Sequence, residues 1–304
     1  MVWEVGVVLS RQGLAFAGLV LAILLWSGNA LVGRAYHDDI PPLSLSFWRW
    51  SLASVLLLPF VARSIWQHRQ ALLAAGWRLL VLAAVGIASF NSLLYTAAQT
   101  TPAINITLVS TCLPLATFVG AGVLLGEWPA RRAWYGLVVA LLGLGYLISR
   151  GSLDVLTSLS FAGGDLIMLV AVLVWATYTL LLRLWGRYLT VPPLVLLGVL
   201  MLLGLPFILP FYLLELSVVG GFEVNLSNLS AIAYTAVFSS LVAYLAWNHG
   251  VSVLGAAKAS LTNYLMPVFT ALLGWVLLHE PLQPYHLVGG GLIFAGLMLA
   301  TRRA

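Results

Sequence analysis

The run from Lys258 to Glu280 reads KASLTNYLMPVFTALLGWVLLHE, an apolar helix with Pro267 near its middle and a carboxylate at its far end. The same design stands earlier, from Asn105 to Glu127, as NITLVSTCLPLATFVGAGVLLGE. A shift of 153 residues lays Pro114 on Pro267, Thr117 on Thr270, Leu124 and Leu125 on Leu277 and Leu278, and Glu127 on Glu280. It also carries Gly136 to Gly289, Gly143 to Gly296 and Arg150 to Arg303. Two membrane-length segments with proline and glutamate at one spacing mark an internal duplication. The chain is therefore read as two halves, 13–150 and 163–303, within one structural unit.

Composition names the solvent. Of 304 residues, 62% are hydrophobic and 8% charged, against about 25% charged in an ordinary soluble domain. The mean hydropathy is +1.04. Nearly all of the chain divides into apolar runs of roughly 20 residues, the length that crosses a hydrocarbon core. A formal charge of +5 and a pI near 9.6 would suggest nucleic acid in a soluble protein. Here they mean basic loops facing an anionic cytoplasmic leaflet, and no nucleic-acid partner is expected. Cys112 is the only cysteine and is expected to be buried packing. The first apolar run, from Leu14 to Val32, contains Trp26, Ser27 and Asn29 and lacks a cleavage site after it, so it reads as a retained helix.

Ten spans follow, at 13–34, 44–62, 77–99, 103–125, 133–149, 163–183, 192–214, 227–250, 256–278 and 286–301. Only helices suit such runs, because lipid offers no partner to an open backbone. With the N-terminus inside, the inner segments hold ten arginines and Lys258, while the outer side has Arg34, Arg49 and Arg150 with Asp38, Asp39, Asp154, Glu215 and Glu223. That asymmetry places both termini in the cytoplasm of a bacterial inner membrane. Each half has an odd number of helices, so the two must insert with opposite orientation. A shift of 149 carries Trp26 to Trp175, and Arg34 outside to Arg183 inside. Inverted repeats of this kind are the architecture of secondary transporters. The expected fold is an all-α integral membrane protein of ten transmembrane helices in two inverted five-helix repeats.

The paired halves with proline, Leu-Leu-x-Glu and two glycines, the tryptophan of helix 1 with its echo in helix 6, and Tyr244-x-Ala-Trp-Asn-x-Gly250 resemble the EamA family of the drug/metabolite transporter superfamily. The resemblance covers residues 13–303 and implies ten helices in two repeats. Among members, the abundance of aromatics is most similar to the bacterial aromatic amino acid exporters of the YddG type.

Several constellations could carry transport. Helix 3 presents Asn91, Tyr95 and Gln99 as one polar stripe, and a shift of 153 lays it on Tyr244, Asn248 and Ser252 of helix 8, with Ser240 one turn earlier. Buried polar groups face a neighbouring helix or a wet cavity, and matched stripes in both repeats favour a shared cavity. Helices 1 and 6 offer Trp26 with Asn29 and Trp175 with Tyr178 in equivalent positions, a ring beside a polar group that suits a planar substrate. Trp247 lies equally deep. Helices 4 and 9 carry Thr107, Ser110 and Thr111, matched to Ser260, Asn263 and Tyr264, beside Pro114 and Pro267. Each proline releases a carbonyl and bends its helix, as a packing kink or as a hinge over a central site.

Lys258 reads either as snorkelling to the inner headgroups or as a counter-charge for a substrate carboxylate. Arg49 in Phe-Trp-Arg-Trp has the same two readings, with snorkelling foremost. Glu127 and Glu280 read as structural, tying the loops that follow. The small residues of helices 5 and 10 read as packing, within one chain or between protomers, so the protein is a monomer or a homodimer.

The five histidines are scattered and have no ligand spacing, so no metal or cofactor is expected. An enzyme would need a nucleophile–base pair, a metal cluster or paired acids, and none stands out. A titrating mid-membrane acid, the mark of a proton relay, is also missing from the spans. The sequence thus reads as a secondary exporter of amino acids, aromatic ones foremost, with a nucleotide-sugar or sugar-phosphate exchanger as the alternative.

Overall fold

The computed structural model describes residues 11–101, 106, 109–110, 112–152, 154, 163–278 and 283–301. Thr107, Thr111, Glu280, Arg302 and Arg303 lie outside the described residues. The first half contributes α1 (Arg11–Ala35), α2 (Pro42–Gln67), α3 (Trp77–Ala98), α4 (Cys112–Leu125) and α5 (Arg131–Ile148). The second contributes α6 (Gly163–Leu184), α7 (Pro193–Val218), α8 (Leu226–Leu254), α9 and α10 (Pro284–Thr301). Helix α9 is assembled from Ala256–Leu261, a 3₁₀ turn at Thr262–Leu265, and Met266–Leu278.

Eight of these are long and apolar enough to cross a bilayer, and α4 and α10 are shorter apolar helices. Backbone hydrogen bonds satisfied within each helix are the reason apolar runs take this form in lipid. Between α2 and α3 the chain forms a further short helix, Arg69–Ala75, where the sequence reading had only a loop. Cys112 is exposed and is not the buried packing group expected of it.

The packing repeats itself. Helices α1 and α8 lie together, as do their equivalents α6 and α3; α1 packs on α9 as α6 packs on α4. The two remaining pairs, α2 with α7 and α5 with α10, join each helix to its own equivalent. Proline positions give the register of α2 and α7: Pro41, Pro42 and Pro59 fall on Pro192, Pro193 and Pro210. In both helices a proline occupies the first turn, where its missing N–H is not needed.

The α5–α10 seam depends on glycine. A Cβ at Gly143 would lie 2.8 Å from the Gly289 carbonyl oxygen, and one at Gly296 would lie 2.6 Å from that of Gly136. Gly143 and Gly296 are equivalent, as are Gly136 and Gly289, so the seam is symmetric and antiparallel. Without a hydrophobic force between helices in lipid, such close backbone approach supplies the packing.

The repeats also share a feature with no simple sequence signature. Ala83–Ser89 in α3 and Thr235–Val242 in α8 are π-helical, at equivalent positions. A π-turn inserts an extra residue, releases a carbonyl from the regular ladder and often marks a functional segment. Here the equivalent carbonyls of Gly86 and Ser239 are both engaged by side chains, accepting from the Tyr244 hydroxyl at 2.7 Å and from Trp26 Nε1 at 3.0 Å.

Candidate transport cavity

The two halves enclose a cavity of about 330 Å³ whose walls come from α1, α3, α4, α5, α6, α8 and α9. His37, with a side chain 51% exposed, lines the cavity at its mouth. The mouth therefore faces the end of the bundle that carries Asp38 and Asp39. Toward the other end the cavity stops on packed rings. Trp26 meets Trp175 edge-on at 5.2 Å, the two being equivalent residues of the repeats, and Tyr244 meets both at 5.7 and 5.4 Å. Trp247, fully buried, underlies Trp26 and Trp175 at 5.3 and 5.7 Å. Edge-to-face contacts of this kind add to the rings' burial and hold their orientation.

Beyond the rings, Arg183 on α6 pairs with Glu127 at 3.0 Å and donates to the Ser252 carbonyl at 3.3 Å. Glu127 was expected to tie the loop after it; instead it joins the end of α4 to α6, because that loop carries no cation within the same reach. Neither residue of the pair lines the cavity.

Of the candidate residues, Trp26, Asn29, Asn91, Tyr95, Ser110 and Trp175 line the cavity, and so do Tyr244, Asn263, Tyr264, Pro114 and Pro267. Gln99 does not. It stands at the C-terminal end of α3 and is exposed. Lys258 is likewise exposed, near the start of α9, and outside the cavity wall. Tyr178 and Asn248 are buried behind the ring floor, where the Tyr178 hydroxyl donates to Asn248 Oδ1 at 2.9 Å.

Pro267 lacks the N–H that the Asn263 carbonyl would accept in a regular helix. The 3₁₀ turn at Thr262–Leu265 ends two positions before it, a change of winding that often accompanies a hinge. The Ser27 hydroxyl reaches the Met266 carbonyl at 3.2 Å and so ties α1 to this point.

Of the two readings of Arg49, snorkelling, the foremost, does not hold: the residue is fully buried. Its Nε donates to Ser240 Oγ at 2.9 Å, and its Nη1 faces Tyr95 Oη at 2.7 Å, Asn91 Oδ1 at 3.0 Å and Asn29 Oδ1 at 3.4 Å. Position 49 lies two turns inside α2, on the face turned to α1, α3 and α8. A lone charge that deep in an apolar helix was itself the available signal. Its partners are spread over three other helices, so nothing in local sequence linked them to it.

Among the described residues no group of His, Cys, Asp and Glu could hold a metal ion. The cavity wall contains no Asp, Glu, Lys or Arg among the described residues.

Comparison with known proteins agrees with this architecture. The chain matches the EamA-like transporter family twice, over residues 13–149 and 162–302. It is 29% identical to the uncharacterized transporter YyaM of Bacillus subtilis over 265 residues, 86% of this chain and 84% of that one. It is 27% identical to the uncharacterized inner membrane transporter YedA of Escherichia coli K12, over 96% of this chain and 92% of the other. Protein PecM of Dickeya dadantii is 29% identical over 73% of each chain. A solved crystal structure superposes with a TM-score of 0.75 at 21% identity, covering 96% of this chain and 97% of its own, and shows the same fold. Two family matches, one in each five-helix half and together spanning most of the chain, establish that this multi-pass membrane protein belongs to the EamA-like transporter family and is a transporter, not an enzyme.

Proposed function

We propose that this chain is a secondary exporter of amino acids, aromatic ones and related amphipathic metabolites, working by alternating access at the cavity between its repeats. One observation carries the reading: the cavity joins a floor of aromatic rings, Trp26, Trp175 and Tyr244, to uncharged hydrogen-bonding groups, Asn29, Asn91, Tyr95 and Asn263. Aromatic faces favour large or planar side chains, and neutral amides and hydroxyls can satisfy a zwitterion's charged ends. A volume of about 330 Å³ is at the lower end of the range for small-molecule sites. A sugar phosphate would call for cations converging on it, whereas the described wall holds none.

With the basic end of the bundle in the cytoplasm, the open mouth at His37 faces outward. The described state is then the one that releases substrate, closed inside by the ring floor and the Arg183–Glu127 pair. Pro114 and Pro267 are the hinges that would reverse it. One chain contains the whole cavity, so a monomer suffices.

The test is transport of labelled phenylalanine, tyrosine, tryptophan, methionine, glutamate and lysine in proteoliposomes, with and without a pH gradient. Transport of the aromatic amino acids in excess of glutamate and lysine is expected. Movement of a lipophilic cation but of no aromatic amino acid would overturn the reading. Orientation is tested separately with single cysteines at Asp38 and Asp154 in a Cys112→Ser background, which should react with an impermeant thiol reagent in intact cells.

A further inference from the structure

Arg49 is a guanidinium without an ion pair among the described residues, held in the interior by neutral oxygens and by the Trp50 ring, 5.1 Å from its Cζ. An uncompensated buried cation is costly, and neutral hydrogen bonds offset only part of that. Its Nη2 is buried with no hydrogen-bond partner among the described residues. The arrangement around it decides which way the neighbouring amides point. A guanidinium only donates, so Asn29 and Asn91 must turn their Oδ1 atoms toward Nη1, at 3.4 and 3.0 Å. Tyr95 accepts from Nη1 at 2.7 Å and passes its own hydrogen to Asn29 Oδ1 at 2.8 Å.

The acceptors are thereby consumed on the Arg49 side, and the donors are left facing away. The Asn91 amide nitrogen gives one hydrogen to the Tyr244 hydroxyl at 3.1 Å. That of Asn29 has no partner among the described residues, although Asn29 is 4% exposed and lines the cavity.

We propose that Asn29, oriented by Arg49 and Tyr95, receives a carboxylate in the cavity, with the Arg49 charge behind it as the counter-ion. The inference rests on the aromatic-cavity reading and narrows it: substrates carry an acid group, whose carboxylate docks at α1 while the apolar body lies on Trp26 and Trp175. Arg49 is a positioning residue here, acting through the amide it orients and through its charge. Lys258, exposed and outside the wall, is not needed for this role.

The test compares three ligands on the purified full chain in lipid nanodiscs, by calorimetry: 3-phenylpropanoate, its neutral amide 3-phenylpropanamide, which has the same shape, and the shorter cation phenethylamine. The acid should bind about tenfold tighter than the amide, the difference between a charge-assisted and a neutral hydrogen bond. Asn29→Asp places an anion against Arg49 in the same shape, and should abolish that preference or turn it toward the amine. Arg49→Met should level acid and amide to within about twofold. If that variant does not fold, Asn29→Asp and the wild-type comparison still decide.

Equal binding of acid and amide by the wild type, or an unchanged acid preference in Asn29→Asp, overturns the carboxylate site. In the first case, tight binding of all three ligands leaves the aromatic cavity standing. Acid preference without transport of any aromatic amino acid sinks the substrate reading and leaves the site. Binding of none of the three overturns both.

Discussion

Two hydrogen bonds in this protein occupy equivalent places with their residues exchanged. In the first repeat Tyr95 on α3 donates to Asn29 on α1; in the second, Tyr178 on α6 donates to Asn248 on α8. The shifts that superpose the repeats carry Asn29 to Tyr178 and Tyr95 to Asn248. The bond between first and third helices is thus kept, while donor and acceptor have changed helices. Beside the first bond stands Arg49, and at its equivalent in α7 stands Leu200, both fully buried. One half therefore places a charge, Arg49, behind polar residues of the cavity wall. The other has a neutral pair sealed beneath the rings. Pseudo-symmetry supplies the frame that allows a site to be opened to either side; the departure from symmetry makes the two halves chemically unlike around the cavity.

The strongest way to break this comparison is to make the halves alike. Leu200→Arg would bury a second cation at a fully buried apolar position, and uncompensated buried charges cost several kcal/mol. Folded, monodisperse protein should fall roughly tenfold or more by fluorescence size exclusion. A normal yield would mean that water reaches α7 and that the Arg49 pocket is not special.

A gentler contrast is Tyr95→Phe against Tyr178→Phe. The first removes a hydrogen bond to a cation, worth about 1.5–3 kcal/mol; the second removes a neutral one, worth about 1 kcal/mol. Tyr95→Phe should lower the melting temperature more and weaken substrate binding, whereas Tyr178→Phe should leave binding nearly unchanged. Equal effects on binding would indicate that the network's charge plays no part.

The glycine seam provides the symmetric control. Gly136→Ala and Gly289→Ala each drive a methyl toward a backbone oxygen of the partner helix, and overpacking of this kind costs about 1–3 kcal/mol. Thermal unfolding should shift by similar amounts in both variants, because the equivalent residues meet equivalent surroundings.

The smallest effect is expected at the closed end. Arg183 and Glu127 have side chains 36% and 46% exposed, and exposed ion pairs contribute about 0–1 kcal/mol. Arg183→Gln should leave thermal stability within that range in detergent. If this pair helps to keep that end shut, the variant will nonetheless raise the reactivity of a cysteine placed at Trp247.

By itself the sequence determined the membrane, the helices and the duplication. Each of these rests on composition or on spacing along the chain: apolar runs of bilayer length, prolines between them, and a proline and a glutamate recurring 153 residues apart. Lipid leaves a helix as the only economical backbone for such runs, so little tertiary information is needed to read them. Trp26 and Trp175 were legible as a pair for the same reason, since a shift in sequence superposes them. Tertiary structure alone decided which polar residues face the cavity. Asn91, Tyr95 and Gln99 form one stripe in sequence, yet Gln99, at the end of α3, is exposed and outside the cavity wall, while its neighbour Ala98 lines it. The π-turns rotate the residues after them relative to a regular helix, an offset that a period of 3.6 does not contain. The destination of Arg49 was hidden most deeply. Its four oxygen partners come from α1, α3 and α8, and a hydrogen-bond network among residues so far apart in the chain exists only once the helices have packed.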